Sequence, residues 1–192
     1  HPFKICNDRV AAFRGSFSMD TMQKNNNDRS QYEMSVLLVE EPLNENSTLK
    51  RALLDFNYYI NEQMGISNNL LEKREHYNPD ILIIRMDAPT KNTLKELAEI
   101  NQLSPLPILI FAELDTPSLI QTSIKAGVSA YVVNEIQPQR IKSLITVACE
   151  RFKESQSLRN ELEQTKAQLE SRKLVERAKG VIMLQKKISE QE

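Results

Sequence analysis

Tryptophan is absent from this 192-residue chain, and cysteine, histidine and glycine are scarce, at two, two and four residues. Each scarcity removes a class of chemistry. Cys6 and Cys149 lie far apart and form no CxxC pair, which argues against a disulfide framework or a Cys-rich zinc site. His1 and His76 leave almost no raw material for a His-based metal centre or a Ser-His-Asp triad. With so few glycines, neither GxGxxG nor GxxxxGK followed by Ser or Thr occurs, so a phosphate-cradling loop is not expected. No run approaches the roughly 18 apolar residues of a membrane span, and the N-terminus lacks the apolar region of a signal peptide. A reducing, cytoplasmic setting is the expectation. No cofactor, metal site or enzymatic activity is expected either.

What the chain does contain is regular. Its length suits one domain plus an appendage. The near balance of 25 Lys+Arg against 26 Asp+Glu conceals a segmental asymmetry. Residues 1–33 carry no sustained period and run into the polar stretch KNNNDRSQ at 24–31, which reads as a flexible leader or a cloning remnant. Strand-length apolar runs then follow at 34–39, 58–60 (the weakest), 81–84, 108–111 and 130–133. Between them lie helical patterns over 44–56, 68–77, 90–100 and 116–126. Leu49, Leu53 and Phe56 share a face with Ala52, and Gly127 stands where a helix-terminating glycine belongs. Pro138 opens a further helix.

Short apolar runs alternating with helices are the mark of parallel strands buried on both faces. The predicted fold is a five-stranded, doubly wound, flavodoxin-like α/β domain over residues 34–137. Such sheets place function beyond the carboxyl ends of their strands. The residues to inspect there are Glu40 and Glu41, then Arg85 and Asp87, then Ala112 and Glu113, and finally Asn134 and Glu135.

From Pro138 to about Lys187 only Gly180 interrupts a helical pattern. Ile141, Leu144, Ala148, Arg151, Ser155, Leu158, Leu162, Thr165 and Leu169 recur at alternating spacings of three and four. Apart from Arg151 and Ser155, that stripe fits coiled-coil a and d positions, and past Phe152 self-association is favoured over packing on the domain. The expected dimer interface therefore comprises Leu144, Ala148, Leu158, Leu162 and Leu169, within a dimerisation helix over 138–168. Residues 172–187 then hold six basic residues against one acid, Glu176. A charge run of this kind is usually a solvated helix face.

The tract LESRKLVERAKGVIM at 169–183 closely resembles the opening helix of the ANTAR RNA-binding domain. AGVSAYVV at 126–133, PDILII at 79–84 and DAP at 87–89 resemble a response-regulator receiver, and in particular the NasT-like antiterminators of nitrate and nitrite assimilation. The resemblance covers residues 34–192 and implies a receiver, a coiled-coil helix and a three-helix ANTAR unit. Such a unit binds paired RNA hairpins in leader transcripts and prevents termination. A ligand-sensing protein that sequesters the regulator is the implied partner. A complete ANTAR unit continues for a further pair of short helices, so residues 169–192 are expected to be its N-terminal part. Arg172, Lys173, Arg177 and Lys179 are the candidate RNA-binding residues. No aromatic follows Lys153, so base stacking, common among readers of unpaired RNA, has no side chain to use there.

The receiver chemistry implied by the same resemblance is dismantled. Arg85 occupies the phospho-acceptor position at the end of the third strand. Glu40 and Glu41 stand where the acidic pair, commonly aspartates, would hold Mg²⁺. Ala112 replaces the hydroxyl residue, and Asn134 the lysine. A guanidinium cannot accept a phosphoryl group by this route and stays charged at any physiological pH. Asp87, two residues further on, is a poor substitute. The expectation is that Arg85 replaces the metal by pairing with Glu40 or Glu41. The function expected is partner-gated RNA-binding antitermination, and the alternative is a protein-interaction adaptor that binds no RNA. Among the remaining positions, Tyr131 reads as half-buried rather than as a switch, His76 as a surface residue near a helix end, and Cys149 as a buried small hydrophobe.

Overall fold

The computed structural model describes residues 32–66, 69–133 and 136–186. Five strands alternate with helices: β1 (Ser35–Glu40), α1 (Thr48–Asp55), β2 (Tyr59–Met64), α2 (Leu70–Tyr77), β3 (Ile81–Met86), α3 (Lys91–Leu103), β4 (Ile108–Ala112), α4 (Pro117–Lys125) and β5 (Ala130–Val133). A 3₁₀ turn (Pro138–Arg140) leads into α5 (Ile141–Lys186). All strand pairs are parallel, in the order β2-β1-β3-β4-β5. This is the doubly wound arrangement expected from the alternation of runs.

The apolar runs are continuous because both sheet faces are covered. Leu37, Val39, Leu82, Ile84, Ile108 and Ile110 point to one face and meet Leu70 of α2 with Leu97 and Ile100 of α3. Val36, Leu38, Ile81, Ile83, Leu109 and Phe111 point to the other. There they meet Leu49 and Leu53 of α1 and the first turns of α5 through Ile141, Ile145 and Ala148.

Local signals set most boundaries. Ser47 caps α1 by accepting a bond from the Lys50 backbone N–H at 3.0 Å, and Thr90 caps α3 through Thr93 at 3.1 Å. The expected start of the first helix at residue 44 is replaced by a turn in which Asn44 Oδ1 accepts from the Asn46 N–H at 3.0 Å. Gly127 has φ of 100°, and a Cβ there would lie 2.3 Å from the Asn101 side chain, so both conformation and space require glycine. The second strand is longer than its apolar run. Its sequence YINEQM is polar because β2 is the sheet edge, where partial exposure removes the demand for continuous hydrophobicity. The helix anticipated over 68–77 starts at Leu70, and its first expected residue lies outside the described residues.

One expectation needs correction. Ala148 is fully buried and Leu144 packs against the same cluster, both within the chain's own domain. Neither is free for an intermolecular seam, because the first turns of α5 supply one of the layers that close the sheet. Cys149 beside them is half-buried, and burial pushes its thiol up to about 11. By contrast Leu158, Leu162 and Leu169 are 60%, 54% and 54% exposed.

This division makes a measurable contrast. Ala148→Asp puts an unpaired carboxylate against the sheet and should lower the unfolding free energy of the domain by about 3 kcal/mol or more. Leu162→Asp should change it by no more than about 0.5 kcal/mol. Urea unfolding followed by tyrosine fluorescence reads both, since every tyrosine lies between residues 32 and 131. Equal costs would overturn the assignment of Ala148 to the core.

Candidate functional site

The carboxyl ends of β1, β3 and β4 open onto a cleft of about 980 Å³. Glu41, Asn44, Ser47, Thr48, Arg85, Asp87, Ala112 and Glu113 border it. The parallel register explains the convergence, since Glu40 lies beside Arg85 and Met86 beside Ala112. The Glu41 N–H donates to the Arg85 carbonyl at 2.8 Å, and the N–H groups of Glu113 and Leu114 both donate to the Asp87 carbonyl at 3.1 Å. These bonds tie the loops after β1, β3 and β4 to one another. Asn134, expected beside them, lies outside the described residues.

The two glutamates are not equivalent. Glu41 is exposed, whereas Glu40 is completely buried. Glu40 Oε2 accepts from Gln63 Nε2 at 2.5 Å, and the same amide donates to the Asn44 carbonyl at 2.7 Å. Glu40 Oε1 has no partner among the described residues. Sequence reasoning missed Gln63 because it read β2 as ending at residue 60. Continuing the strand to Met64 would have placed Gln63 next to Leu38, on the face that Glu40 shares.

The expected pairing of Arg85 with Glu40 or Glu41 does not form. Among the described residues the ion pairs are Lys73–Glu62, Lys142–Glu33 and Lys153–Glu150. Gln63 from the edge strand takes the one engaged oxygen of Glu40, and Glu41 points to solvent. Arg85 is left partly buried on the cleft wall and forms no ion pair among the described residues. Among the described residues no three His, Cys, Asp or Glu side chains are grouped so as to hold a metal ion. A guanidinium stands in the cleft, and the carboxylate beside it is already hydrogen-bonded.

Tyr131 is half-buried, and its hydroxyl donates to the Leu114 carbonyl at 2.9 Å. Burial, and then the Asp115 carboxylate, push that hydroxyl above its ordinary range. His76 is exposed near the end of α2, its ring edge-on to Tyr77 at 4.6 Å.

Far from the cleft, Arg172, Lys173, Arg177 and Lys179 are exposed on α5, with Glu176 among them. At about 100° per residue the four basic residues span an arc of about 160°. Leu174, Val175, Ala178 and Val181 occupy the opposite side, and the three larger ones are 65%, 52% and 54% exposed. Lys187 lies outside the described residues. No helix among the described residues is long and apolar enough to cross a membrane.

Comparison with known proteins matches the ANTAR domain to residues 163–192. The transcriptional regulatory protein PdtaR of Mycobacterium tuberculosis is 29% identical over 147 residues, covering 77% of this chain and 72% of the relative. The chemotaxis protein CheY of Thermotoga maritima is 23% identical over 107 residues, covering 55% and 89% respectively. Among solved structures, the signal receiver domain of a modulated diguanylate cyclase from Desulfovibrio desulfuricans superposes with a TM-score of 0.54 at 16% identity, covering 64% of this chain and 98% of that one. A LuxR-family response regulator from Aurantimonas gives 0.50 at 17%, covering 61% and 85%. The two structural likenesses establish the receiver fold. Together with the ANTAR match and PdtaR, they make the chain similar to ANTAR-type response regulators that act in transcriptional regulation.

The cleft geometry predicts unequal costs for two substitutions. Gln63→Leu leaves the buried Glu40 carboxylate without its donor and should cost about 1–3 kcal/mol of stability. Arg85→Ala removes a side chain that has no ion-pair partner among the described residues and should stay within about 0.5 kcal/mol. Urea titration of both variants checks this, and a larger loss at Arg85 would restore the ion-pair reading.

Proposed function

We propose that this protein is a cytoplasmic RNA-binding regulator of transcription termination, whose receiver-like domain is governed by protein partners and not by an aspartyl phosphate. The observation that carries the reading is the pairing of Arg85 at the end of β3 with an exposed basic helix face inside the ANTAR match. A phospho-accepting receiver needs a carboxylate nucleophile where Arg85 stands, with acids around it free to hold a metal. Glu40 is instead committed to Gln63, and Asp87 sits about 6–7 Å further along the chain than the acceptor position. Control must then come from differential binding. A partner that prefers one assembly of the protein shifts its population without any covalent step. The resemblance to nitrate and nitrite antiterminators makes a ligand-sensing protein that sequesters the regulator the expected partner.

For the output, Arg172, Lys173, Arg177 and Lys179 supply phosphate contacts, which give affinity without selecting sequence. The opposite face, Leu174, Val175, Ala178 and Val181, is apolar as a helix needs to be if others are to dock on it. The exposed leucines at 158, 162 and 169 form the coiled-coil part of the reading. The same leucines favour the alternative, an adaptor that recognises proteins only.

Binding of the chain to a paired-hairpin RNA at low and moderate salt separates the two. Affinity should fall steeply with salt. Replacing all four basic residues with glutamine should abolish most of it and flatten the salt dependence by up to about 0.7–0.9 per lost phosphate contact. Binding that is absent at low salt, or unchanged in the variant, would leave the adaptor. Incubation with acetyl phosphate and Mg²⁺ should give no acid-stable or labile phosphoryl adduct by intact mass. An adduct lost on Asp87→Asn would overturn phosphate-independent control.

A further inference from the structure

The cleft at the strand ends carries charge of both signs that the fold leaves unused. Because β3 lies between β1 and β4, Arg85 stands at the middle of the opening, with Glu41 on the β1 side and Glu113 on the β4 side. Asp87, two residues beyond Arg85, borders the same cleft from the loop after β3. Arg85 is partly buried, whereas the three carboxylates are exposed. None of the four makes an ion pair among the described residues. From wall to mouth the order is therefore one cation and then three anions. From this arrangement we infer that the cleft binds a free amino acid with a cationic side chain. Its carboxylate would sit on Arg85, and its two cationic groups among Glu41, Asp87 and Glu113.

The signs and their order select this chemistry. A guanidinium offers paired N–H donors that match a carboxylate in bidentate fashion. A polyanion such as a nucleotide would satisfy Arg85 but meet three like charges at the mouth. A polyamine would satisfy the carboxylates but set a cation against Arg85. A neutral amino acid would engage Arg85 and one carboxylate, and leave the other acids without a counter-charge. Arginine, lysine or ornithine brings one anion and two cations, which is the pattern the cleft complements.

Room and apolar surface agree with the charges. The volume of about 980 Å³ falls within the range of about 300–1,000 Å³ usual for small-molecule sites. Met86, Phe111 and Ile136 line the cleft beside the charged groups and offer apolar surface to the methylene stem of such a side chain. The backbone bonds from Glu41 to Arg85, and from Glu113 and Leu114 to Asp87, hold the three loops before any ligand arrives. Little ordering is then left to offset binding. The inference is independent of RNA binding, since both the site and its readout lie in the receiver-like domain.

Calorimetric titration of the full chain at fixed ionic strength tests it. Arginine, lysine or ornithine should bind saturably, one per chain, with a dissociation constant in the millimolar range or tighter. Two analogues of arginine read its two ends separately. Agmatine, which lacks the carboxylate, and citrulline, whose side chain is neutral, should each bind the parent chain about tenfold or more weakly than arginine. In Arg85→Gln, arginine should lose its advantage over agmatine and keep its advantage over citrulline. In Asp87→Asn with Glu113→Gln the two preferences should change the other way round. A misfolded domain would lose both preferences together, and the urea midpoint of each variant identifies that case. No saturable heat with any of the three amino acids up to about 10 mM would overturn the inference. So would arginine binding that is unchanged in Arg85→Gln. N-acetylarginine that binds as tightly as arginine would reassign the cleft to the carboxyl terminus of a peptide and overturn the free amino acid.

Discussion

Docking of the first turns of α5 onto the sheet is the constraint from which the rest of the molecule follows. Ile141, Ile145 and Ala148 are essentially unexposed, and they close the face that α1 covers only in part. At about 25 cal/mol per Å², burial of such side chains contributes about 1.5–3 kcal/mol for each large one. The helix cannot leave the domain without exposing the apolar side of β4 and β5. Its first turns are therefore core, and the remainder is an extension whose direction the core fixes. One continuous helix thereby belongs to two structures, a receiver-like domain and whatever the exposed leucines meet.

The cleft at the strand ends shows a different economy of charge. A buried carboxylate is costly unless donors satisfy it. Glu40 meets that demand at one oxygen only, with a neutral amide from the edge strand and not with the nearby guanidinium. The choice has a consequence for Arg85. A salt bridge to Glu40 would have withdrawn its charge from the cleft, whereas here the charge remains on the wall, beside the exposed Glu41 and Asp87. The loops that bear these residues are tied by backbone bonds to the Arg85 and Asp87 carbonyls. Cleft shape is therefore set by the backbone, and side-chain substitutions can alter its charge without loss of the fold.

The fold was legible in the sequence where burial acts on both faces of a strand, because β1, β3 and β4 must then be apolar without interruption. Legibility was partial at β2. An edge strand with one exposed side reads YINEQM, and its polar residues hide the strand's extension beyond Ile60 and with it the Gln63 that serves Glu40. Helix caps at Ser47 and Thr90 and the glycine after α4 were readable, since each answers a local hydrogen-bonding or conformational need. The Arg85 pairing was misread because opposite charges on neighbouring strands predict proximity, while side-chain choice depends on a third strand. Ala148 was misread for a related reason. A three-four stripe records that a helix face is buried, but not whether the covering surface is the same chain or another.

Distance constrains how the two ends of the protein can communicate. From Arg159, which still bonds the domain at Asn101, to Arg172 is about 20 Å of helix at 1.5 Å per residue. Charges in the cleft act over a screening length of about 8 Å at physiological ionic strength, so Arg85 and its neighbours do not sense the basic arc directly. Nor does a continuous helix of good helix formers, such as Glu, Gln, Lys, Arg and Leu, offer a hinge within residues 156–170. What remains is a change at the docked turns, where Leu144 and Cys149 pack against the sheet and Arg159 bonds Asn101 of α3. A partner seated on the cleft would influence the far end only by altering how α5 lies on the domain, and hence which assembly the exposed leucines can enter. Coupling through assembly needs differential affinity and no phosphoryl group, which is the form of control compatible with an arginine at the end of β3.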